Sequence, residues 1–471
     1  MGWDRSAGCT TLEVEEEPRL PRAASAEARL ALAVLWWRGE PGRAGEVLLP
    51  GAQPAEFGRD DEGAPTSRLR LCRPRPGTNA PAAPLTDPFL SRRQLRVQRS
   101  ADALAVEALG KRPLLLNGAA RDRARVRAGD LLELERLCCF LCVERPQRLE
   151  ELAGRHEFGE ADAHGIVGES PAAWALRRRI AFVAPRSAHV IVTGPSGAGK
   201  ELVARAIHHA SCRGGKALVA RNAATIPPGL ADAELFGNAL NYPNAGMGER
   251  PGLIGRAEGS SLFLDELGEL PLDVQAHLLR VLDSGEYQRL GDARTRLANV
   301  RFLAATNRQV SELKPDLAAR FALRVQLPGL QQRREDVPLL ARHLLRGLAR
   351  QDPALGARFL AGWNGSEGEP RLSLALVRAL VLHDYSTHAR ELERLLWVSL
   401  QSSPGDELEY TAEVRALCRF PERGRDPEEV SREELRAALA RHGGKRERAW
   451  RELGLSSRHA LSRLMRKLGE V

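Results

Sequence analysis

The chain has 471 residues, of which 43% are hydrophobic and 28% charged, and it carries a formal net charge of +9. This length corresponds to about three domains, and the composition excludes a wholly disordered, a collagen-like or a membrane-embedded protein. The longest apolar runs, around Leu30–Trp37 and Leu137–Val143, are far shorter than the roughly 20 residues that span a bilayer. Because the chain starts with acidic residues and lacks a basic and apolar leader, we expect a cytoplasmic protein.

The N-terminal region, residues 28–147, consists of short apolar alternations separated by glycine, proline and aspartate. This pattern predicts an all-β sandwich. The seven cysteines are odd in number and scattered, so they indicate neither a disulfide framework nor a paired zinc site. Cys138, Cys139 and Cys142 lie in an apolar stretch, where core packing is a better interpretation than metal binding or redox chemistry.

The central region follows a polar stretch, residues 148–163, that is predicted to be a linker. Over residues 164–330, strand-like runs are each followed by helix-like sequence, which predicts a parallel sheet with crossover helices. These runs are HVIVTG, ALVARN, SLFLDE and VRFLAATN. Residues 331–402 are predicted to be helical, and residues 403–430, rich in proline, glycine and charge, to form a second linker.

The C-terminal segment, residues 431–471, contains eleven Lys or Arg and five Asp or Glu, which gives a local charge of 11 − 5 = +6. Its pattern predicts two or three amphipathic helices broken at Gly443-Gly444 and Gly454. A polyanion would bind at this basic segment, although arginine is the habitual basic residue throughout the chain.

A glycine-rich loop, GPSGAGK, stands between the strand-like HVIVT and the helix-like ELVARAIHHA. This is the context that a phosphate-binding loop requires, because backbone N–H groups and the helix N-terminus then face the phosphates while the lysine reaches the β and γ oxygens. The predicted nucleotide-binding residues are Gly194, Ser196, Gly197, Ala198, Gly199 and Lys200. Glu201 stands where Ser or Thr usually binds Mg²⁺, and its carboxylate offers oxygen ligands instead. The alternative is a glycine-rich turn with a solvated lysine.

Two carboxylates end the apolar run SLFLDE, at the edge of the sheet that would face the nucleotide. Asp265 is predicted to hold Mg²⁺ and Glu266 to orient the attacking water, an arrangement that suits hydrolysis of the β–γ bond of ATP. The alternative is a helix N-cap with acidic residues. Asn307 ends a third strand and is expected to sense the γ-phosphate.

The run from His164 to about Leu400 resembles the central AAA+ ATPase domain of bacterial sigma-54-dependent transcriptional activators, also called enhancer-binding proteins. The matching stretches are GESPAAW at 168, GPSGAGKE at 194, RNAAT at 221, ELFG at 234, SLFLDELGELP at 261, LLRVLDSGEYQRLG at 278, ATNR at 305, RREDVPLLARHLL at 333 and ARELERLL at 389. The resemblance implies that ATP and Mg²⁺ are cofactors and that the chain forms a homo-oligomeric ring, usually a hexamer.

Further site residues follow from the resemblance alone. It implies that Asn222 restrains Glu266 before hydrolysis, that Val167 lies in the nucleotide site and that Arg390 is a second sensor of the γ-phosphate. Two arginine fingers of the family, which act on the neighbouring subunit, correspond to Lys314 and Arg320. Lysine keeps the charge but loses the planar fork of arginine.

The loop between residues 237 and 252 departs from the family pattern. The family's GAFTGA hexapeptide, whose apex contacts sigma-54, aligns with NYPNAG at 241–246. The predicted sigma-contact residues are Asn241, Tyr242, Pro243 and Asn244. Because Pro243 and Asn244 replace Phe and Thr, we expect a rigid turn with a polar tip, and contact with RNA polymerase carrying sigma-54 stays open.

The C-terminal segment resembles a Fis-type helix-turn-helix, with Gly454 at the turn. Residues on the second helix would face the major groove of duplex DNA, where arginine reads guanine edges or grips phosphate. These residues are Ser457, Arg458, His459, Ser462, Arg463 and Arg466. The alternative is a plain amphipathic helical hairpin.

The N-terminal region resembles a forkhead-associated domain, which binds phosphothreonine peptides. The match rests on Gly58-Arg59, Ser91-Arg92-Arg93-Gln94, Asn117-Gly118 and Ala128-Gly129-Asp130. The predicted phosphopeptide-binding residues are Arg59, Ser91, Arg92 and Arg112. Gln94 replaces the family's structural histidine. A purely structural or oligomerising sandwich is the alternative.

These patterns predict a multidomain fold: an all-β sandwich of forkhead-associated type, an α/β AAA+ P-loop unit with a helical lid, and an all-α helix-turn-helix. The predicted function is ATP-driven, DNA-bound transcription regulation under control of a phosphothreonine protein or a Ser/Thr kinase. A second hypothesis is a DNA-bound scaffold that binds ATP without engaging sigma-54. A stand-alone metabolic ATPase is disfavoured by the basic C-terminal segment.

Overall fold

The computed structural model describes residues 28–60, 68–152, 156–308, 312–420, 430–442 and 446–453, with 455, 461–462, 464–465 and 468–469. Over these residues the chain forms a β unit, an α/β unit, a helical unit and a short C-terminal helical segment. No helix within these ranges is long and apolar enough to cross a bilayer.

The β unit contains twelve described strands in two sheets. They are β1 (Arg29–Trp37), β2 (Val47–Leu48), β3 (Ala55–Phe57), β4 (Leu71–Arg75), β5 (Thr78–Pro81), β6 (Leu95–Arg99), β7 (Leu104–Ala108), β8 (Leu114–Leu116), β9 (Ala119–Arg121), β10 (Arg123–Val126), β11 (Leu131–Leu134) and β12 (Cys138–Arg145). The sheet orders are β5-β4-β2-β1-β12-β11-β8-β9 and β10-β7-β6-β3. The rings of Trp37 and Phe57 each meet Phe140 edge-on in the shared core. The predicted all-β architecture of this region is confirmed.

The cysteines of β12 serve the packing of this unit. Cys138 and Cys142 are fully buried in the core of the sandwich, and Cys139 is buried on the opposite side of the strand, against the helical unit. Burial raises the pKa of the Cys142 thiol to about 12, which makes it a poor metal ligand or nucleophile at neutral pH. Because all three cysteines lie in apolar cores, the packing interpretation is confirmed.

The α/β unit is built on five parallel strands in the order β14-β15-β18-β13-β19. Its strands are β13 (Val190–Thr193), β14 (Val219–Asn222), β15 (Ser261–Asp265), β16 (Glu286–Tyr287), β17 (Arg296–Leu297), β18 (Arg301–Thr306) and β19 (Leu323–Gln326). Its helices are α1 (Pro171–Val183), α2 (Lys200–His209), α3 (Ala231–Phe236), α4 (Gly252–Arg256), α5 (Leu272–Ser284) and α6 (Pro315–Arg320). Successive residues of the sheet point into two separate cores, one with α1 and α2 and one with α3 to α6. The predicted parallel sheet is confirmed, and β19 is a fifth strand that the sequence pattern did not reveal.

The helical unit extends further along the chain than the sequence indicated. It comprises α7 (Val337–Gln351), α8 (Pro353–Phe359), β20 (Leu360–Ala361), β21 (Glu369–Pro370), α9 (Leu374–Leu382), α10 (His388–Ser402) and α11 (Ala412–Leu417). Leu408 and Val414 are fully buried in its core, so residues 403–417 belong to this unit and not to the predicted linker at 403–430. Pro404 and Gly405 form a bend in this stretch, and the buried residues Leu408 and Val414 follow it.

The predicted linker at 148–163 is also packed where it is described. His156 accepts a hydrogen bond at its carbonyl oxygen from Arg75 of the β unit, at 2.9 Å. The carbonyl oxygen of Gly159 accepts one from Arg342 of α7, at 2.7 Å. Residues 156–163 therefore form a strap between the β unit and the helical unit.

The C-terminal segment begins with α12 (Arg432–Arg441), which Ser431 and Glu434 cap reciprocally, and continues with α13 (Arg446–Glu452). Leu435, Ala449 and Leu461 share a small apolar core. The amphipathic helices predicted for this segment are confirmed over the described residues, whereas Gly443, Gly444 and Gly454 lie outside them.

Candidate nucleotide-binding site

The glycine-rich loop joins β13 to α2 with backbone conformations that favour glycine. Gly194, Gly197 and Gly199 have φ values of 152°, 75° and 102°, and Gly199 caps the N-terminus of α2. A Cβ atom on Gly197 would lie 2.1 Å from the carbonyl oxygen of Thr387, just before α10. The glycine spacing of the motif therefore reflects both the turn and the close approach of the helical unit.

Lys200 is held at this loop although it is only 7% exposed. Its Nζ donates hydrogen bonds to the carbonyl oxygens of Gly194 at 3.1 Å and Pro195 at 3.4 Å, and it lies 3.9 Å from Glu266 Oε1. Burial lowers the pKa of the ammonium, while the neighbouring carboxylates raise it and Arg390 lowers it. The lysine therefore makes two hydrogen bonds to backbone oxygens, and its nearest carboxylate lies 3.9 Å away.

The two carboxylates lie where β15 ends, at the carboxyl edge of the sheet. Asp265 is the last residue of the strand, and its Oδ1 accepts a hydrogen bond from Glu266 N at 3.0 Å. Glu266 adopts a left-handed conformation with φ 53°, which turns the chain away from the sheet. Asn307, after β18, donates its backbone N–H to Glu266 Oε2 at 3.4 Å. The structure thus brings Lys200, Asp265, Glu266 and Asn307 together at the carboxyl edge of the sheet.

Asn222 reaches the same edge from the next strand. It ends β14 in register with Asp265, but its Oδ1 accepts a hydrogen bond from Ala224 N at 2.9 Å. The carboxamide therefore caps its own turn, and the predicted restraint on Glu266 requires a different rotamer.

The helical unit contributes the start of α10. Ala389 N donates to the carbonyl oxygen of Gly197 at 3.2 Å, which places the neighbouring Arg390 beside the loop. Sequence analysis missed Glu391, which accepts hydrogen bonds from the backbone N–H groups of Ser386 at 2.7 Å and Thr387 at 3.1 Å. Burial alone would raise the pKa of Glu391, but contacts with Thr387, His383 and Ser386 lower it to about 2. This glutamate anchors the first turn of the helix that carries Arg390.

Val167 and Glu201 have other partners in this structure. Val167 is 3% exposed and packs against Ala44 of the β unit and Leu339 of α7. Glu201 Oε1 lies 2.8 Å from Arg205 one turn later, so its predicted metal role requires that ion pair to open. Among the described residues, no group of three or more His, Cys, Asp or Glu side chains could hold a metal. Mg²⁺ is usually bound by one or two carboxylates together with substrate phosphates, and Asp265 fits that donor set.

Lys314 and Arg320 flank α6 and contact α5. Lys314 Nζ donates to the carbonyl oxygen of Leu272 at 2.6 Å, and Arg320 Nε lies 2.5 Å from Asp283 Oδ1. Arg320 is exposed, and Lys314 is half-buried. Both cations are therefore near the surface, where a neighbouring subunit could meet them.

The loop at 238–250 is an ordered projection. Asn241 has φ 63°, and its Oδ1 accepts a hydrogen bond from Gly246 N at 2.9 Å, while the Tyr242 ring lies against the backbone of Gly291. The expected turn at 241–246 is present, and its polar residues Asn241 and Asn244 are exposed. The exposed fractions are 65% for Leu240, 40% for Tyr242 and 38% for Met247, so the projection carries apolar surface that flanking residues supply.

The predicted phosphopeptide residues meet at one end of the sandwich. The carbonyl oxygen of Ser91 accepts from Arg59 N at 3.0 Å, and its hydroxyl accepts from Lys111 N at 3.2 Å. Gln94 is buried and donates from Nε2 to the carbonyl oxygen of Arg112 at 3.1 Å, so it joins the two loops. Arg112 itself donates to the carbonyl oxygens of Phe89 and Glu135. Arg92 is exposed beside them.

The predicted DNA-facing residues fall mostly beyond the described part of the segment. Ser462 lies in a helix and is half-buried. The others, Ser457, Arg458, His459, Arg463 and Arg466, lie outside the described residues.

Comparisons with known proteins find relatives of the region that contains this site. Residues 166–327 match the family described as the Sigma-54 interaction domain. The transcriptional regulatory protein ZraR of Salmonella typhimurium (strain LT2) is 36% identical over 318 residues, which cover 64% of this chain and 68% of ZraR. The nitric oxide reductase transcription regulator NorR1 of Cupriavidus necator is 41% identical over 282 residues, which cover 56% of this chain and 52% of NorR1.

A solved structure, NtrX from Brucella abortus in complex with ADP, is 31% identical, with a TM-score of 0.46 over 65% of this chain and 70% of NtrX. The matched domain and the coverage of ZraR show the family. The chain therefore belongs to the family of sigma-54-dependent transcriptional regulators.

Proposed function

We propose that this chain is an ATP-driven, DNA-bound transcription regulator that hydrolyses ATP in an oligomeric ring. The observation that carries the proposal is the convergence of Lys200, Asp265, Glu266 and the start of α10 on one edge of the sheet. Parallel α/β sheets bind ligands at this edge, and the membership of the family supports the same site.

Each residue has a distinct task in the proposed hydrolysis. The backbone N–H groups of residues 194–200 and the N-terminus of α2 bind the phosphates, and Lys200 neutralises their charge. Asp265 would hold Mg²⁺, which when bound neutralises charge on the β- and γ-phosphates. Glu266 accepts a proton from the attacking water and orients it in line with the β–γ bond. Asn307 and Arg390 contact the γ-phosphate from the sheet and the helical unit.

Oligomerisation completes the site in this proposal. Arg320, and Lys314 in the place of the other finger, would enter the site of the next subunit from their surface positions on α6. A homo-oligomer, with a hexamer as the expected form, accounts for cations whose present partners are a single exposed carboxylate and a backbone oxygen.

The projection at 238–250 is the proposed contact with RNA polymerase carrying sigma-54. It is ordered by its own hydrogen bonds and presents Leu240, Tyr242 and Met247 to solvent, a grouping that favours a protein partner. A regulator that binds ATP and DNA without engaging sigma-54 is the second candidate. Pro243 and Asn244, which replace the family's Phe and Thr, favour it.

In this proposal the β unit binds a phosphorylated protein, and the C-terminal segment binds DNA. The loops at Arg59, Ser91 and Arg112 would bind a phosphothreonine protein, such as the product of a Ser/Thr kinase, because guanidinium groups and a hydroxyl grip phosphate. The basic segment 431–471 would bind duplex DNA. The expected signature of the DNA contact is binding at low salt that weakens steeply as the salt concentration is raised.

The decisive experiment is binding of the full chain to sigma-54 with a transition-state analogue of hydrolysis, ADP–aluminium fluoride. Capture of sigma-54 with the analogue, but not with ADP or with the Lys200→Ala variant, is the expected result. ATP turnover and ring assembly without capture would establish the second candidate instead. Absence of turnover in the wild-type ring would rule out the first.

A further inference from the structure

A buried arginine of the β unit reaches the hinge between the α/β unit and the helical unit. Arg145, the last residue of β12, is only 2% exposed. Its Nη1 donates to Glu335 Oε2 and its Nη2 to the carbonyl oxygen of Glu169, both at 2.7 Å. One guanidinium group thus bridges the start of the α/β unit and the turn that leads into α7.

The two acceptors are themselves joined through Asp336. Its Oδ1 accepts hydrogen bonds from Glu169 N at 2.8 Å and Ser170 N at 2.9 Å, and its Oδ2 accepts one from the Ser170 hydroxyl at 2.6 Å. Gly168 fits closely here, because a Cβ atom on it would lie 2.5 Å from Asp336 Oδ2. Residues 168–170 and 335–336 therefore form a single buried cluster, which we call the hinge cluster.

The hinge cluster is connected to the helix that lies beside the phosphate-binding loop. Val167 immediately precedes it, and the Val167 carbonyl oxygen lies 3.5 Å from Arg333 Nη1 on the other side. His388, the first residue of α10, accepts a hydrogen bond at Nδ1 from Leu330 N at 3.3 Å. The segment 330–336 thus connects the hinge cluster to the helix that carries Arg390.

We propose that Arg145 is a positioning residue for the nucleotide site, contributed by the β unit. Its two hydrogen bonds join residue 169 to residue 335. The segment 330–336 then continues to His388, whose neighbour Ala389 donates to the carbonyl oxygen of Gly197 in the loop. Binding of a phosphorylated protein to the β unit would then affect the nucleotide site through the position of the Arg145 side chain. The inference rests on the proposed function only in that nucleotide binds at residues 194–200.

Neighbouring charges explain why this contact is sensitive to substitution. Burial raises the pKa of Glu335 to about 7, against the opposing effect of Arg145, and Asp336 raises it further. A neutral residue at 145 leaves a buried carboxyl without its cation, and it leaves the Glu169 carbonyl oxygen without its donor.

The same interface contains a matched control. Arg378 of α9 pairs with Glu133 of β11 at 3.1 Å, so it also joins the β unit to the helical unit, but it has no contact with the hinge cluster among the described residues. Substituting Arg378 removes one ion pair of the interface and leaves the bridge between Glu335 and Glu169 intact.

The experiment compares Arg145→Met, Arg145→Lys and Arg378→Met in the full chain, with KM and kcat for ATP, the Kd of ADP and the Tm measured for each. We expect Arg145→Met to raise KM and the Kd of ADP by about ten-fold with a smaller change in kcat, since the positioning of the binding surfaces is lost. Arg145→Lys, which retains the charge but not the fork, should raise them by less, and Arg378→Met should leave them unchanged.

Equal effects of Arg145→Met and Arg378→Met on nucleotide affinity would overturn the proposal, since general docking would then explain both. A lowered Tm with unchanged affinity in Arg145→Met would overturn it as well. If Arg145→Met does not fold, unchanged affinity in Arg145→Lys has the same meaning. Failure of the wild-type chain to bind ADP or ATP would instead refute the proposed function.

Discussion

Among the buried cations of the described residues, Lys200 at the phosphate loop and Arg145 at the hinge have contrasting surroundings. Lys200 is 7% exposed, with partners at 3.1, 3.4 and 3.9 Å, whereas Arg145 is 2% exposed with two partners at 2.7 Å. Burial lowers the pKa of Lys200, so its charge is maintained at a cost that a polyanion would relieve. The contrast is therefore between a lysine whose nearest carboxylate is 3.9 Å away and an arginine that two short hydrogen bonds hold in place at a structural joint.

Replacing Lys200 tests the first half of this contrast. Because Lys200→Met removes the charge that the phosphates need, ATP turnover should fall by roughly 10²- to 10³-fold. Stability should change little, because the two hydrogen bonds that are lost are offset by removal of a buried charge. Turnover and the Tm of the nucleotide-free chain measure the two effects, with Lys216→Met as a control on an exposed lysine of the same unit. A marked drop in Tm would show that Lys200 is a structural joint too.

The joint itself depends on apolar packing between the β unit and the helical unit. Leu35 of β1 is 1% exposed and lies in the same buried cluster as residues of α7, α9 and α10. Leu35→Ala should lower the free energy of unfolding by about 2 to 4 kcal/mol, through lost burial and the cavity left behind. Denaturant unfolding measures this effect. Turnover per folded molecule should change by less than in Lys200→Met, and the reverse order would contradict the division between site and joint.

The region around the phosphate loop was predictable from the sequence because its functional groups are close together along the chain. GPSGAGK and SLFLDE each place their functional groups within a few residues, and strand ends of a parallel sheet then bring Lys200, Asp265 and Glu266 to one edge. The glycines of the loop were predicted from the same motif, and their φ values explain the requirement.

The contacts of Arg145 at the hinge cluster could not be predicted from the sequence in the same way. Arg145 and Glu335 are 190 residues apart, and no motif links them. The short strand β19 was missed because four residues give little periodicity, and residues 403–417 were assigned to a linker because Pro404 and Gly405 resemble one. The exposed side chains of Leu240 and Met247 were not predicted either, because they flank the hexapeptide at 241–246 and belong to no motif.

Glu391 shares features of both the phosphate loop and the hinge. It is a carboxylate with several hydrogen-bond partners, and it holds the first turn of the helix that carries Arg390. The pKa of Glu391 is lowered from an ordinary 4.5 to about 2, so the stabilisation that it provides is complete above about pH 4.5 and is lost as the pH falls towards 2. At neutral pH, Glu391→Gln should lower the free energy of unfolding by about 1.5 to 3 kcal/mol, as expected for hydrogen bonds to a charged group. The difference between wild type and variant should shrink between pH 4.5 and 2. A difference that is constant over this range would contradict the assigned pKa.

The smallest expected effect concerns a single neutral hydrogen bond across the joint. Trp36 Nε1 of β1 donates to the carbonyl oxygen of Leu372, before α9, at 2.7 Å. Trp36→Phe keeps the aromatic packing but removes the donor, so the free energy of unfolding should fall by about 1 kcal/mol. Nucleotide affinity should stay unchanged, because this contact, unlike that of Arg145, does not reach the hinge cluster among the described residues. If Trp36→Phe weakened ADP binding as much as Arg145→Met, the whole interface and not one arginine would set the geometry of the site.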